Sequence, residues 1–153
     1  MEEIKLLIVD DNINLIDMLK EFFLQTNRIK VVAEAYNGED GLALIEKEKG
    51  NFDVVLLDLI MPKKDLLWLL EQFTKKNIDI NVIVESSYNA PNVISEVAAL
   101  GATYFVLKPF DLIDLEKKII ESTNKSNQKI GLKTGEKQLQ LYKDKLTQNE
   151  TQY

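Results

Sequence analysis

Between Ile4 and Glu121, short apolar runs alternate five times with segments of helical period, and this pattern constrains the fold more than any other feature. Ile4–Val9 is followed by Ile13–Leu24, whose apolar residues at 15, 16, 19, 22 and 23 have helical spacing, with Asn12 in capping position. The pattern repeats as strand Ile29–Ala35 and a helix from Glu39 to about Lys49, then strand Asp53–Leu57 and helix Leu66–Lys75. Strand Ile80–Val84 precedes helix Pro91–Leu100, and strand Thr103–Leu107 precedes helix Leu112–Glu121. Strict β–α alternation with near-continuously apolar strands predicts an α/β fold, a five-stranded parallel sheet covered by helices on both faces. Such a doubly wound sheet binds its ligands beyond the carboxyl ends of its strands, at the point where strand order reverses. The strand ends are where function is to be read.

The chain contains neither cysteine nor histidine. Thiolate catalysis, disulfides, zinc-thiolate sites, Ser-His-Asp triads and imidazole bases are thereby excluded. Any chemistry must run on carboxylates, hydroxyls, lysines and backbone. Residues 1–122 carry a net charge of −9, and residues 123–153 carry +3, six lysines against Glu136, Asp144 and Glu150. An acidic body repels nucleic acid phosphates, so direct DNA binding by this chain is not expected. It does suit a compact site for a cation. No apolar run reaches the ~18–20 residues that span a bilayer, and the start lacks a signal peptide's basic head, so the expected compartment is the cytoplasm. Residues 1–122 read as one domain. Residues 123–153 read as a polar linker or tail, with Leu132, Leu139, Tyr142 and Leu146 as a thin stripe for a weak helix.

The strands end in Asp10-Asp11, Asp58, Ser86-Ser87 and Lys108-Pro109. Each has an ordinary explanation alone. Asp11 could cap a helix, Asp58 could serve the turn before Met61-Pro62, Ser86 could be a loop hydroxyl, and Lys108 a solvated charge. Together they resist that account, because three carboxylates brought to one sheet edge repel and need a cation. Oxygen ligands with open positions suit Mg²⁺, which keeps waters and binds phosphate. Lys108 would clamp an anion beside it.

Val9-Asp10-Asp11-Asn12, Leu57-Asp58, Met61-Pro62, Ser86 and Lys108-Pro109-Phe110 resemble the receiver domain of two-component response regulators, over about residues 4–122. Within that family, Ala35–Asp40, Leu57–Pro62 and Gly101–Asp111 are most similar to the receivers of sporulation-type regulators. The resemblance implies a flavodoxin-like (βα)5 fold and a phosphoacceptor rather than an enzyme, catalysing only its own phosphorylation and slow autodephosphorylation. Asp58 would accept the phosphoryl group from a sensor histidine kinase or phosphotransferase. Asp10, Asp11, Asp58 and the backbone carbonyl of Ile60 would hold Mg²⁺. Lys108 would contact the phosphoryl oxygens, Ser86 would be the switch hydroxyl, and Phe105 the aromatic that follows it. Lys108-Pro109 would be a cis peptide. The donor would dock near Asn14, Leu15 and Met18, and Val93, Val97, Tyr104 and Leu115 would face a phosphorylation-dependent homodimer or output partner.

Three residues depart from the family pattern. Leu66 stands where glycine is usual, so the loop before it must adopt another conformation or carry strain. Glu85 ends an otherwise apolar strand where an aliphatic residue is usual; alternation points it away from Ser86, which leaves it outside the expected site and without a named partner. Ser87 replaces a common alanine and is expected to change little. The alternative to a phosphoacceptor is a receiver-like interaction module that works without phosphorylation. A haloacid-dehalogenase-type phosphatase would want a second Asp where Ile60 stands, and no G-x-G-x-x-G follows the first strand for a dinucleotide.

Overall fold

The computed structural model describes residues 3–58, 66–86, 98–99, 101–102, 104–108 and 111–124. Five strands form one parallel sheet: β1 (Ile4–Val9), β2 (Ile29–Ala35), β3 (Val54–Asp58), β4 (Asn81–Ser86) and β5 (Tyr104–Leu107). Their spatial order is β2-β1-β3-β4-β5, so the chain reverses direction across the sheet between β1 and β3. The described helices are α1 (Ile13–Thr26), α2 (Gly38–Lys47), α3 (Leu66–Lys75) and α4 (Leu112–Ser122). Of the helix expected over Pro91–Leu100, only Ala98 and Ala99 are described, and both are helical. The expected tail helix lies outside the described residues.

Strand alternation divides the core in two. Leu7, Val9, Val55, Leu57, Val82 and Val84 pack with Leu42 and Ile45 of α2 and Leu66, Leu69, Leu70 and Phe73 of α3. Leu6, Ile8, Val54, Leu56, Ile83 and Val106 pack with Ile16, Leu19 and Phe23 of α1 and Leu115 and Ile119 of α4. Odd and even positions of β1 thus bury opposite faces, which is why the strands read as continuous apolar runs. Each such side chain contributes ~1.5–3 kcal/mol when taken fully from water.

Local chemistry fixes where the helices start. The Asn12 side chain accepts a hydrogen bond from Leu15 N at 3.1 Å, Asn37 from Asp40 N at 2.8 Å, and Asp111 from Ile113 N at 2.9 Å. At the end of α1, Asn27 takes the left-handed conformation at φ 59°, which asparagine tolerates better than most residues. Leu66 is the first residue of α3 and fully buried, and it is not among the described non-glycine residues with positive φ. The leucine is absorbed as a core anchor, and no strained backbone is needed at that position.

Candidate functional site

The register of the sheet determines which side chains meet. Ile8 pairs with Leu56 and Leu56 with Ile83, all packed on the α1/α4 face, where Val106 joins them. Two residues further along each strand stand Asp10, Asp58, Glu85 and Lys108. With a side-chain period of two, that next layer faces the same way as the apolar layer beneath it. Asp58 and Glu85 are direct register partners. Asp10 lies at the strand end beside the β1–β3 reversal.

Lys108 stands among the three acids. Its Nζ lies 3.3 Å from Asp10 Oδ2, 3.5 Å from Asp58 Oδ1 and 3.8 Å from Glu85 Oε1. Asp10 also accepts a 2.8 Å hydrogen bond from Asn12 N, so the backbone that begins α1 holds its carboxylate. Asp10 and Glu85 have no exposed surface, whereas Asp58 retains 8% exposure and is the most accessible of the three.

The expectation for Glu85 is therefore corrected. Alternation does separate it from Ser86 along β4, but Asp10 and Asp58 share the face of Glu85. One carboxylate oxygen from each of Asp10, Asp58 and Glu85 lies within 4.8 Å of the others. Asp11 is exposed and does not belong to this group of three. The register that pairs Asp58 with Glu85 brings Glu85 into the group, and alternation along β4 alone carried no signal for it.

Burial sets the protonation of this cluster. Loss of solvent pushes the Glu85 carboxyl up to about 10, and the adjacent Asp10 carboxyl reinforces the shift. Burial works in the same direction on Asp10, but hydrogen bonds from Glu85 and Asn12 N, with the charge of Lys108, outweigh it and hold Asp10 below the usual carboxylate range. As two ionised carboxylates, Asp10 and Glu85 have no hydrogen to share, and neither Glu85 oxygen has a hydrogen-bond partner among the described residues. One proton held between them, on the Glu85 side, resolves both observations. Burial would lower the Lys108 pKa, yet the charges of Glu85, Asp10 and Asp58 prevail and raise it, so the ammonium stays charged.

Of the remaining expected residues, Ser86 closes β4. Phe105 is half-buried in β5 and packs against the α2/α3 core cluster. Ile60 and the Lys108-Pro109 bond fall outside the described residues. Leu115, expected on a docking face, is fully buried core, because the apolar stripe of α4 turns it onto the sheet beside Ile119. Tyr104 is half-buried, and its hydroxyl lies 3.4 Å from Glu121 Oε2. Val93 and Val97 lie outside the described residues. Met18 is 45% exposed on α1. Among the described residues, no helix is long and apolar enough to cross a membrane.

Residues 6–120 match the family model of the response regulator receiver domain. The chain is 34% identical over 129 residues to the probable C4-dicarboxylate response regulator DctR of Bacillus subtilis, a match covering 84% of this chain and 56% of that protein. It thus spans a little over half the length of that curated relative. A CheY-like receiver domain protein from Methanospirillum hungatei superposes with a TM-score of 0.72 at 28% identity, covering 84% of this chain and 98% of the other. CheY from Borrelia burgdorferi, solved as a CheX–CheY–BeF3–Mg²⁺ complex, gives a TM-score of 0.71 at 25% identity over 76% of this chain and 87% of the matched one.

Proposed function

Since this chain belongs to the response regulator receiver domain family, we propose that Asp58 is its phosphoacceptor, in a reaction that needs Mg²⁺. The observation that carries this reading is the convergence of Asp10, Asp58 and Lys108 at the carboxyl end of the sheet, with Asp58 the most accessible acid of the cluster. Phosphoryl transfer asks for positioning and charge neutralisation, and little covalent help beyond the nucleophile. A carboxylate oxygen of Asp58 attacks phosphorus in line, forming the O–P bond of an acyl phosphate. The N–P bond of a phosphohistidine donor breaks, and the leaving imidazole carries its electron pair away and takes a proton from solvent.

Lys108, already 3.5 Å from Asp58, neutralises charge on the transferred oxygens. The acids present fit a hard divalent cation: Asp10 and Asp58 lie at the reversal point, and the exposed Asp11 follows Asp10 in the chain. The family resemblance adds the backbone carbonyl of Ile60, which lies outside the described residues. When bound, Mg²⁺ supplies the positive charge that lets a dianionic phosphoryl group approach an acidic pocket. The CheY relative was solved with both Mg²⁺ and BeF3, which supports the same pairing of cation and anion here.

Phosphorylation adds about two negative charges next to β4 and β5. Ser86 is the neutral donor that responds, and Phe105 transmits its movement toward the surface of β5. A histidine kinase or phosphotransferase is the partner on the donor side, near Asn14, Leu15 and Met18. A second copy or an output partner reads the result. No contact of this chain with DNA is required.

Incubation with acetyl phosphate and Mg²⁺ adds one phosphate mass, and EDTA or Asp58→Asn abolishes it. Full labelling of Asp58→Asn refutes the assignment. Wild-type protein that never labels, yet keeps its partner, supports the phosphorylation-independent module instead.

A further inference from the structure

The geometry points to Glu85 as an additional carboxylate ligand of the divalent cation site, beyond the acids of the phosphoacceptor reading on which this inference rests. Three independent features converge on it. The sheet register sets Glu85 directly beside Asp58, in the layer that also holds Asp10 and Lys108. One oxygen from each of the three acids lies within 4.8 Å of the others. Metal–oxygen distances of ~2.0–2.1 Å for Mg²⁺ and ~2.3–2.6 Å for Ca²⁺ put oxygens on opposite sides of one ion about 4–5 Å apart. The trio is spaced for a shared ion.

The third feature is the state of Glu85 itself. It has no exposed surface, and no hydrogen-bond donor among the described residues reaches either of its carboxylate oxygens. Lys108 is the cation at hand, but at 3.8 Å it stands closer to Asp10 and Asp58 and beyond hydrogen-bonding length from Glu85. A buried carboxyl that no donor reaches is costly to ionise unless a cation stands against it. A divalent ion in contact with Asp10 and Asp58 would satisfy it.

Added carboxylates raise affinity for hard cations, and a larger ion tolerates more of them than Mg²⁺, which favours few carboxylates and several waters. Glu85 therefore tightens cation binding and extends it toward Ca²⁺. The ammonium of Lys108 opposes the same ion, because it places a positive charge among the same three oxygens.

Calorimetric titration of the metal-free full chain with Mg²⁺ and, separately, Ca²⁺ tests this. Glu85→Gln and Glu85→Val are expected to weaken binding tenfold or more, with the larger loss for Ca²⁺, on a charge-count scale that spans decades in affinity. Lys108→Ala is expected to tighten binding. Circular dichroism checks that each variant is folded. For any variant that is not, the ¹³C carboxyl resonance of Glu85 in wild-type protein is followed as cation is added, and it must shift on saturation.

Affinities of wild type and a folded Glu85→Val within twofold of each other, or an unmoved Glu85 resonance, overturn the inference and leave the phosphoacceptor reading standing. A wild-type chain that binds neither ion overturns both.

Discussion

Glu85 is the residue at which a single side chain most alters the pocket. A glutamate whose folded pKa sits near 10 against an ordinary 4.5 binds a proton in the native state that the unfolded chain has already released. Stability contributed by this group is then complete below the unfolded pKa and falls as pH rises toward 10, at up to ~1.4 kcal/mol per pH unit. In EDTA, Glu85→Val removes that slope. The stability difference between variant and wild type, read from urea midpoints at pH 5.5, 7 and 8.5, should grow with pH and include about 3 kcal/mol of proton linkage by pH 7. A difference that stays flat across the three pH values means that Glu85 is not held protonated. Asp10 has the opposite sign. Its lowered pKa contributes stability that is lost only as pH falls below the ordinary carboxylate range, so the two acids separate cleanly in a pH series.

At the scale of elements, α2 packs closely against the end of β1. Gly41 lies in α2 directly over Val9, and a Cβ added there would stand 3.0 Å from Val9 Cγ2 and 3.3 Å from Cγ1. Val9 is fully buried and its branched side chain has few rotamers to escape into. Gly41→Ala gains ~1 kcal/mol in helix propensity but incurs ~1–3 kcal/mol of overpacking, so it is expected to destabilise by about 1 kcal/mol. Val9→Ala in the same chain should reverse the sign of the Gly41→Ala effect, a coupling that a double-mutant cycle in denaturant measures. Gly41→Ala that stabilises an otherwise wild-type chain would show that α2 can ride up without cost. The helix starts tell a different story: Asn12 was read as a cap in the sequence, and Asn37 and Asp111 prove to cap α2 and α4 by the same local chemistry. The ends of β3 and β4 were not legible in this way. Both strands run one or two residues past the last aliphatic position, since parallel neighbours continue to pair Asp58 with Glu85 where hydropathy has already stopped.

At the scale of the whole molecule, the proposed function requires that the acidic pocket at one edge of the sheet be coupled to a surface outside it. Phosphorylation of Asp58 is expected to shift the chain from monomer to dimer, through the side of the molecule that carries β5 and α4. Leu115 and Ile119 are core there, so among the described residues the apolar side chains open to a contact include the partly exposed Tyr104, the 43% exposed Leu107 and the 63% exposed Ile113. Analytical ultracentrifugation with and without phosphodonor and Mg²⁺ checks this, with Asp58→Asn as the unresponsive control. An unchanged mass at high micromolar concentration, with labelling confirmed by mass spectrometry, would assign the output to a different partner. Leu107→Lys and Ile113→Lys should abolish the mass shift and leave labelling intact.

The sequence by itself determined the parallel α/β architecture, because strands buried on both faces must be apolar throughout and the intervening helices must show one apolar stripe. It also determined that Asp10, Asp58 and Lys108 would share an edge, because strand ends in such a sheet face one way. Leu66 was legible as the start of a helix and as a misfit for a glycine; its full burial at the first position of α3, in one cluster with Leu69, Leu70 and Phe73, came from tertiary packing. The membership of Glu85 in the pocket was decided by structure alone. Alternation within one strand says which neighbours a residue avoids, but its companions on the adjacent strands depend on register, and register is set by pairing between segments distant in the chain.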